Sequence, residues 1–111
     1  MSVLEASVDS GDGRATIHLR GYLSGDSAEP LEAAFAEAVG ARQVLLVFQP
    51  KDFINSAGLA VLFDLVLPLR EQGVEVRAAH PSQHFRKVFD IIGLSKDIDV
   101  FSSQEEAVAG W

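Results

Sequence analysis

The chain has 111 residues, 48% of them hydrophobic, which suits a single domain with one packed core. Its net charge of −7 argues against the basic surface that nucleic-acid binding requires. The absence of cysteine excludes disulfides, thiol catalysis and thiolate metal sites.

The apolar segments are too short for export or membrane insertion. The first fifteen residues have neither the basic start nor the long apolar run of a secretory signal. The longest apolar stretch, residues 59–69, contains Asp64 and Pro68 and falls short of the roughly 20 residues that cross a bilayer. We therefore expect a cytoplasmic protein without direct membrane insertion.

The first predicted elements are a hairpin and a helix. Two β-rich runs, SVLEASV and RATIHLRGYL, flank the turn residues Gly11-Asp12-Gly13. A polar loop over residues 24–27 follows, and the segment AEPLEAAFAEAV then has apolar residues at helical spacing. This pattern predicts a helix that ends before Gly40, with an apolar stripe formed by Leu31, Ala34, Phe35 and Ala38.

Strands and helices alternate over the rest of the chain. The run QVLLVF is typical of a strand buried on both faces, and a helix over residues 57–72, closed by Gly73, is predicted to follow. VEVRAA is the next predicted strand, Ser82 caps a third helix, and DIDVF forms a last strand. Ser103 and Glu106 have the spacing of a capping box for a final short helix. The third helix is expected to have an apolar stripe of Phe85, Val88, Phe89 and Ile92.

The order of these elements indicates the fold class. A β-β-α-β-α-β-α-β-α pattern predicts an antiparallel hairpin followed by βα units with right-handed crossovers. We expect one α/β domain over residues 1–111, with a mixed central sheet, an N-terminal hairpin and about four packed helices.

The sequence contains no recognisable catalytic or metal-binding constellation. It has no phosphate-binding glycine loop, and Ser56 does not lie in the G-x-S-x-G motif of a nucleophile elbow. His80 and His84 are four residues apart, but His80 precedes Pro81 and is expected to lie off the helix. His18 is expected on the polar face of its strand. These patterns favour a protein that is not an enzyme and needs neither cofactor nor metal.

Ser56 is the most informative residue of the chain. It stands directly before helix-forming sequence, where a side-chain oxygen can cap free backbone N–H groups. The plain interpretation is an N-cap and nothing more. The functional interpretation is a hydroxyl displayed at the carboxyl end of a buried strand, where open α/β sheets tend to build sites.

The residues after Ser56 suggest a docking surface. Ala57 and Gly58 have almost no side chain and would leave the hydroxyl approachable. At 100° per residue the following helix has more apolar residues than one inward stripe holds, which leaves Phe63 and Leu67 toward the other side. An exposed apolar pair would favour a protein contact, whereas the alternative is that neighbouring elements cover it.

Several segments together resemble the STAS domain, the fold of anti-sigma-factor antagonists. They are FINSAGLAVL, REQGVEVRAAHPSQHFRKVFDIIGL and VFSSQEEAV, and the resemblance extends from RGYLSGDSA to nearly the C-terminus. The central loop, combined with the downstream helix ending in IIGL, is its most specific part.

The resemblance implies a function in partner switching. The family loop usually reads Asp-Ser-Ser-Gly or Asp-Ser-Thr-Gly, and Ser56 falls on the residue that is phosphorylated. Such proteins bind an anti-sigma factor with serine kinase activity when unphosphorylated, are released on phosphorylation, and are reset by a cognate phosphatase. The contact residues implied here, with the apolar pair added, are Ser24, Asn55, Ser56, Ala57, Gly58, Phe63 and Leu67.

The chain departs from the family pattern in ways that leave a second reading open. Asn55 stands where Asp is common, Ala57 where a second hydroxyl residue is common, and Gly21-Tyr22-Leu23-Ser24 where the family often has Gly-Glu-Leu-Asp. An Ala after the hydroxyl residue also resembles STAS accessory subunits of phospholipid-transport ABC systems, which contact an ATPase. The oligomeric state, monomer or weak dimer, stays open.

Overall fold

The structure, a computed structural model, describes residues 4–49, 53–79, 87 and 98–111. The predictions about His80, His84 and the third helix from Ser82 concern residues outside these ranges, apart from Lys87, which is helical and exposed.

The predicted N-terminal hairpin is confirmed. Strand β1 (Glu5–Gly11) pairs antiparallel with β2 (Arg14–Arg20), and Gly11 lies opposite Arg14. The two turn residues, Asp12 and Gly13, have φ angles of 55° and 78°. Two consecutive positive φ angles are typical of the type I′ turn, whose twist matches that of the flanking strands.

The central sheet is mixed, as predicted. Its strand order is β1-β2-β4-β6-β7, with β4 at Gln43–Val47, β6 at Glu75–Ala79 and β7 at Asp99–Phe101. The last four strands of this order run parallel to one another. Strand β4 is buried on both faces, in agreement with its continuous apolar run.

The second β-rich run does not form one continuous strand. It breaks at Gly21, which has a φ of 107°, a conformation that glycine adopts without steric cost. The next two residues form β3 (Tyr22–Leu23), which pairs in parallel with β5 (Phe53–Ile54) in a separate small sheet. The break thereby places the loop of residues 24–27 (the early loop) next to the residues that precede Ser56.

Three α-helices lie within the described ranges: α1 (Ala28–Glu37), α2 (Ser56–Glu71) and α3 (Gln104–Val108). Helix α1 buries its predicted stripe, and Gly73 ends α2 as predicted. The Gly73 N–H donates to the Arg70 carbonyl and the Val74 N–H to the Leu69 carbonyl, which is a Schellman closure. No helix in these ranges is long and apolar enough to cross a membrane.

The sheet divides the core into two clusters. Alternate residues of β4 point to opposite sides, with Val44 and Leu46 in the larger cluster and Leu45 and Val47 in the smaller. Helices α1 and α2 contribute to the larger cluster, and Ala107 of α3 contributes to the smaller.

Side-chain contacts hold the C-terminal segment against the second face of the sheet. Arg77 donates to the Ala107 carbonyl oxygen at 2.8 Å and to the Ala109 carbonyl oxygen at 3.2 Å. The guanidinium of Arg77 also lies 4.6 Å from the centroid of the Trp111 ring, whose Nε1 donates to Glu75 at 2.9 Å.

His18 lies on the polar part of this second face, as predicted. Its Nε2 is 3.2 Å from a carboxylate oxygen of Asp9 on the neighbouring strand, and its side chain is half-exposed.

Candidate functional site

Asn55, and not Ser56, caps helix α2. The Asn55 side-chain oxygen accepts a hydrogen bond from the Gly58 N–H at 2.8 Å, and the Asn55 carbonyl accepts the first helical bond, from Leu59. Asn55 has the extended backbone expected of a cap residue. The prediction that Ser56 serves as the N-cap is therefore wrong, because the residue before it takes that role.

Ser56 is the first residue of α2, and it is exposed. Within the described ranges its hydroxyl makes no hydrogen bond, and the backbone N–H groups of Ser56 and Ala57 have no acceptor there. The functional interpretation of the sequence required a displayed hydroxyl, and the structure provides one. The capping interaction that would have occupied this hydroxyl is supplied by Asn55.

Gly58 is small because the early loop packs directly against it. A Cβ at this position would collide with the carbonyl group of Leu23 and lie 2.6 Å from the Ser24 nitrogen. Gly58 is buried, so it does not widen the approach to the hydroxyl as the sequence analysis expected. Ala57 is exposed, and its Cβ would lie 3.3 Å from a Cβ built on Gly25.

The early loop is a structured turn. Gly25–Ser27 form a 3-10 helix in which the Asp26 N–H donates to the Ser24 hydroxyl and the Ser24 N–H donates to the Ser27 hydroxyl. Ser27 directly precedes α1, but its hydroxyl makes no cap hydrogen bond there. It donates instead to the Tyr22 carbonyl at 3.1 Å and is the buried polar residue of this loop.

The predicted exposed pair on α2 is not exposed. Phe63 and Leu67 are both half-buried, and Phe63 packs against the larger core cluster. The buried stripe of α2 consists of Gly58, Leu59, Leu62 and Val66. Phe63 and Leu67 therefore flank this stripe.

The site brings together five of the seven predicted contact residues. The backbone N–H of Asn55 donates to the Leu23 carbonyl at 3.0 Å, which joins the early loop to the start of α2. These two segments meet at the carboxyl ends of β2 and β4, as predicted from the parallel topology. The five are Ser24, Asn55, Ser56, Ala57 and Gly58.

The sequence analysis missed two residues at this site. Tyr22 exposes a large side chain on the strand that leads into the early loop, and the Ser27 hydroxyl fixes this segment by donating to the Tyr22 carbonyl and accepting from the Ser24 N–H. The available signal was Gly21, since a glycine inside a strand pattern indicates a break or a close backbone approach.

The early loop and the start of α1 are acidic. Asp26 of the loop and Glu29 of the first turn of α1 are both exposed, whereas Glu37 lies at the other end of α1. No cluster of His, Asp and Glu that could hold a metal ion occurs in the described part of the chain. The arrangement offers an exposed hydroxyl, without a hydrogen bond in the described ranges, near two exposed carboxylates, which suits a protein contact.

Comparisons with known proteins agree on the family. The model of the STAS domain matches residues 5–107. A relative from Bordetella bronchiseptica, named "Putative anti-sigma factor antagonist BtrV", is 34% identical over 110 residues, which cover 97% of this chain and 95% of the relative.

Solved structures show the same fold at low sequence identity. An anti-sigma factor antagonist from Mycobacterium paratuberculosis has a TM-score of 0.78 at 18% identity, covering 96% of this chain and 92% of that one. The anti-sigma factor antagonist SpoIIAA in its unphosphorylated form has a TM-score of 0.70 at 20% identity, covering 93% and 92%. The protein belongs to the STAS domain family, within the group of anti-sigma factor antagonists.

Proposed function

We propose that this protein is an anti-sigma-factor antagonist that acts by partner switching, with Ser56 as its phosphorylated residue. In the unphosphorylated state it binds an anti-sigma factor with serine kinase activity; phosphorylation releases the partner, and a cognate phosphatase resets the protein. The observation that carries the proposal is the free, exposed hydroxyl of Ser56 beside an asparagine that supplies the helix cap.

Phosphorylation requires access to the hydroxyl and little else from this chain. The Ser56 oxygen would form a bond to the γ-phosphorus of ATP while the bond from that phosphorus to the β-γ bridging oxygen breaks, ADP leaves, and a base of the kinase takes the hydroxyl proton. Because the hydroxyl makes no hydrogen bond within the described ranges, no internal contact has to be broken first.

A phosphate at Ser56 is compatible with the folded domain. It would carry about −1.5 to −2 charges at pH 7 and would lie at the start of α2, next to the N–H groups of Ser56 and Ala57, which have no acceptor among the described residues. Release of the partner therefore has to come from the interface itself. The added group brings bulk and negative charge into the contact.

The comparisons support the proposal without extending to its details. The relative from Bordetella bronchiseptica spans nearly the whole chain at 34% identity and carries an antagonist name. SpoIIAA has been solved in both a phosphorylated and an unphosphorylated form. That the present chain uses the same chemistry at Ser56 is our inference from the position and exposure of its hydroxyl.

Capture of partners from native extract tests the proposal. Tagged wild-type protein, Ser56→Asp and the matched control Ser103→Asp are used as baits, and the captured proteins are identified by mass spectrometry. Ser103 is also at the start of a helix, so its variant controls for charge added at a helix N-terminus. Wild type and Ser103→Asp should recover an anti-sigma factor of kinase fold, whereas Ser56→Asp should not.

The recovered kinase is then incubated with ATP and each protein. Wild type should gain one phosphate, mapped to Ser56 by peptide fragmentation, and Ser56→Ala should gain none. Recovery of a transport ATPase by wild type and Ser56→Asp alike would contradict the proposal and assign the protein to lipid transport.

A further inference from the structure

Tyr22 presents a large exposed side chain on strand β3, which leads into the early loop. Among the described residues, two large hydrophobic side chains are exposed: Tyr22, at 38% of its surface, and Val39, at 79%. Val39 follows α1 and lies with Gly11 and Gly13 around a shallow depression at the hairpin. That is the amino end of the parallel strands, opposite to Ser56, so the two exposed residues lie at different ends of the sheet.

The backbone that carries Tyr22 is fixed on both sides. Tyr22 pairs with Phe53 in the small parallel sheet, and its carbonyl accepts the Ser27 hydroxyl at 3.1 Å. The next carbonyl, of Leu23, accepts the Asn55 N–H at 3.0 Å. An exposed tyrosine on a fixed backbone has few torsions left to lose on binding, which is why tyrosine is common among the residues that dominate interfaces.

Tyr22 belongs to the same surface as Ser56. The pairing of β3 with β5 places it beside Phe53, three residues before Ser56. Its successors Leu23 and Ser24 are in direct backbone contact with Gly58, two residues after Ser56. A partner that covers the hydroxyl therefore has to extend over, or lie immediately beside, the early loop.

The charge of this region indicates what kind of surface it fits. Its exposed charged residues Asp26, in the early loop, and Glu29, in the first turn of α1, are both acidic. Complementary charge favours a partner surface with basic side chains. The face of a tyrosine ring attracts an arginine or lysine cation, so the exposed ring adds to the same preference.

We propose that Tyr22 is the anchor by which the anti-sigma factor recognises this protein, and that it lies against a basic side chain of that partner. This inference rests on the proposed function and deepens it: Tyr22 determines which partner binds, whereas Ser56 determines when the partner leaves.

The test uses the anti-sigma factor recovered with wild-type bait, produced in pure form, and isothermal titration against each variant. Tyr22→Ala should weaken binding by about tenfold or more, whereas Tyr22→Phe, which keeps the ring face, should bind within about threefold of wild type. Val39→Ala is the matched control, since it removes the other exposed apolar side chain at the far end of the sheet. It should bind as wild type does.

Phosphorylation kinetics separate recognition from chemistry. With Tyr22→Ala as substrate, the KM of the kinase for the protein should rise by about the same factor as the dissociation constant, with kcat nearly unchanged. If Tyr22→Ala proves poorly folded by thermal melting, Tyr22→Thr removes the ring with a residue that favours strands. The same loss of affinity is expected from it.

The outcomes distinguish this inference from the proposed function. If the anti-sigma factor binds the wild type and a folded variant without the ring equally well, Tyr22 is not the anchor, and the proposed function is unaffected. If no anti-sigma factor binds the wild type, both fail. A loss of affinity for Val39→Ala equal to that for Tyr22→Ala would also overturn the anchor role, since the effect would not be local.

Discussion

Helices α2 and α3 both begin with a side-chain N-cap, but the serine at the start of α3 is the cap, whereas the serine at the start of α2 is not. At α3, the Ser103 hydroxyl accepts a hydrogen bond from the Glu106 N–H at 3.2 Å. At α2, the Asn55 side chain accepts the equivalent bond from Gly58 at 2.8 Å, and Ser56 stands one residue inside the helix. A serine before a helix is normally occupied in capping. An asparagine placed before it releases its hydroxyl for another purpose.

The two helix starts also differ in what surrounds them. The start of α2 is packed against the early loop so closely that a side chain at Gly58 has no room. The start of α3 is capped by Ser103, and Arg77 donates hydrogen bonds to the Ala107 and Ala109 carbonyls near the other end of that helix. The cap of α2 is thus part of a rigid site, whereas the cap of α3 serves a short surface helix. Four substitutions test this contrast.

The largest effect is expected for Gly58→Ala. The added methyl group would meet the backbone of Leu23 and Ser24, which cannot move like the end of a flexible side chain. Overpacking of this kind should lower the free energy of unfolding by about 3 kcal/mol, measured by urea denaturation. Gly11→Ala is the control, because its methyl group meets nothing within 4 Å. Equal stability of the two variants would contradict the close packing.

The next effect concerns the far end of α3. Arg77→Ala removes two hydrogen bonds to carbonyls and a stacking contact with Trp111 from a side chain that is only 19% exposed. We expect a loss of about 2 kcal/mol. Arg20→Ala removes one exposed ion pair, with Glu5 at 3.3 Å, and should cost about 0.5 kcal/mol or less. Thermal melting of both variants gives the comparison.

The cap of α2 should contribute more than the cap of α3. Asn55→Ala should cost about 1 kcal/mol, within the range of 0.5–2 measured for N-caps. Ser103→Ala should cost less, because α3 has five residues and its cap bond is longer. Chemical denaturation of the two alanine variants in parallel measures both terms. A larger loss of unfolding free energy for Ser103→Ala than for Asn55→Ala would contradict this ranking of the two caps.

The smallest effect on stability is expected at Ser56. Because Asn55 provides the cap, Ser56→Ala should change the free energy of unfolding by no more than about 0.5 kcal/mol. It should nevertheless abolish phosphorylation by the partner kinase. If Ser56→Ala lowered the free energy of unfolding by about 1 kcal/mol or more and Asn55→Ala did not change it, Ser56 and not Asn55 would be the cap.

Much of the fold could be predicted from the pattern of residues. The turn at Gly11-Asp12-Gly13, the doubly buried run of β4 and the apolar stripe of α1 each depend on local signals, and all three are confirmed. The end of α2 at Gly73 belongs with them, since a glycine after a helix satisfies the last carbonyls through a positive φ.

The errors occurred where contacts between distant segments decide the outcome. The predicted cap, Ser56, and the observed cap, Asn55, are adjacent residues. The backbone hydrogen bond from the Asn55 N–H to the Leu23 carbonyl is among the contacts that hold Asn55 in the cap position. A helical wheel of the large apolar residues predicted exposure of Phe63 and Leu67, because it did not include the contact that buries Gly58 against the early loop. Tyr22 was missed because its place at the site depends on its pairing with Phe53, a distant residue in the sequence, after the strand breaks at Gly21.

The contact between Gly58 and the backbone of Leu23 and Ser24 has a consequence for how such modules diverge. The frame of the site is held by main-chain atoms, the Asn55 side chain and the hydroxyls of Ser24 and Ser27, while the side chains of Tyr22 and Ala57 project from it. Duplicated copies of the gene could therefore change these two positions and acquire separate partners without losing the fold. Insulation between parallel signalling circuits in one cell would then depend on two side chains, and the rest of the domain could stay constant.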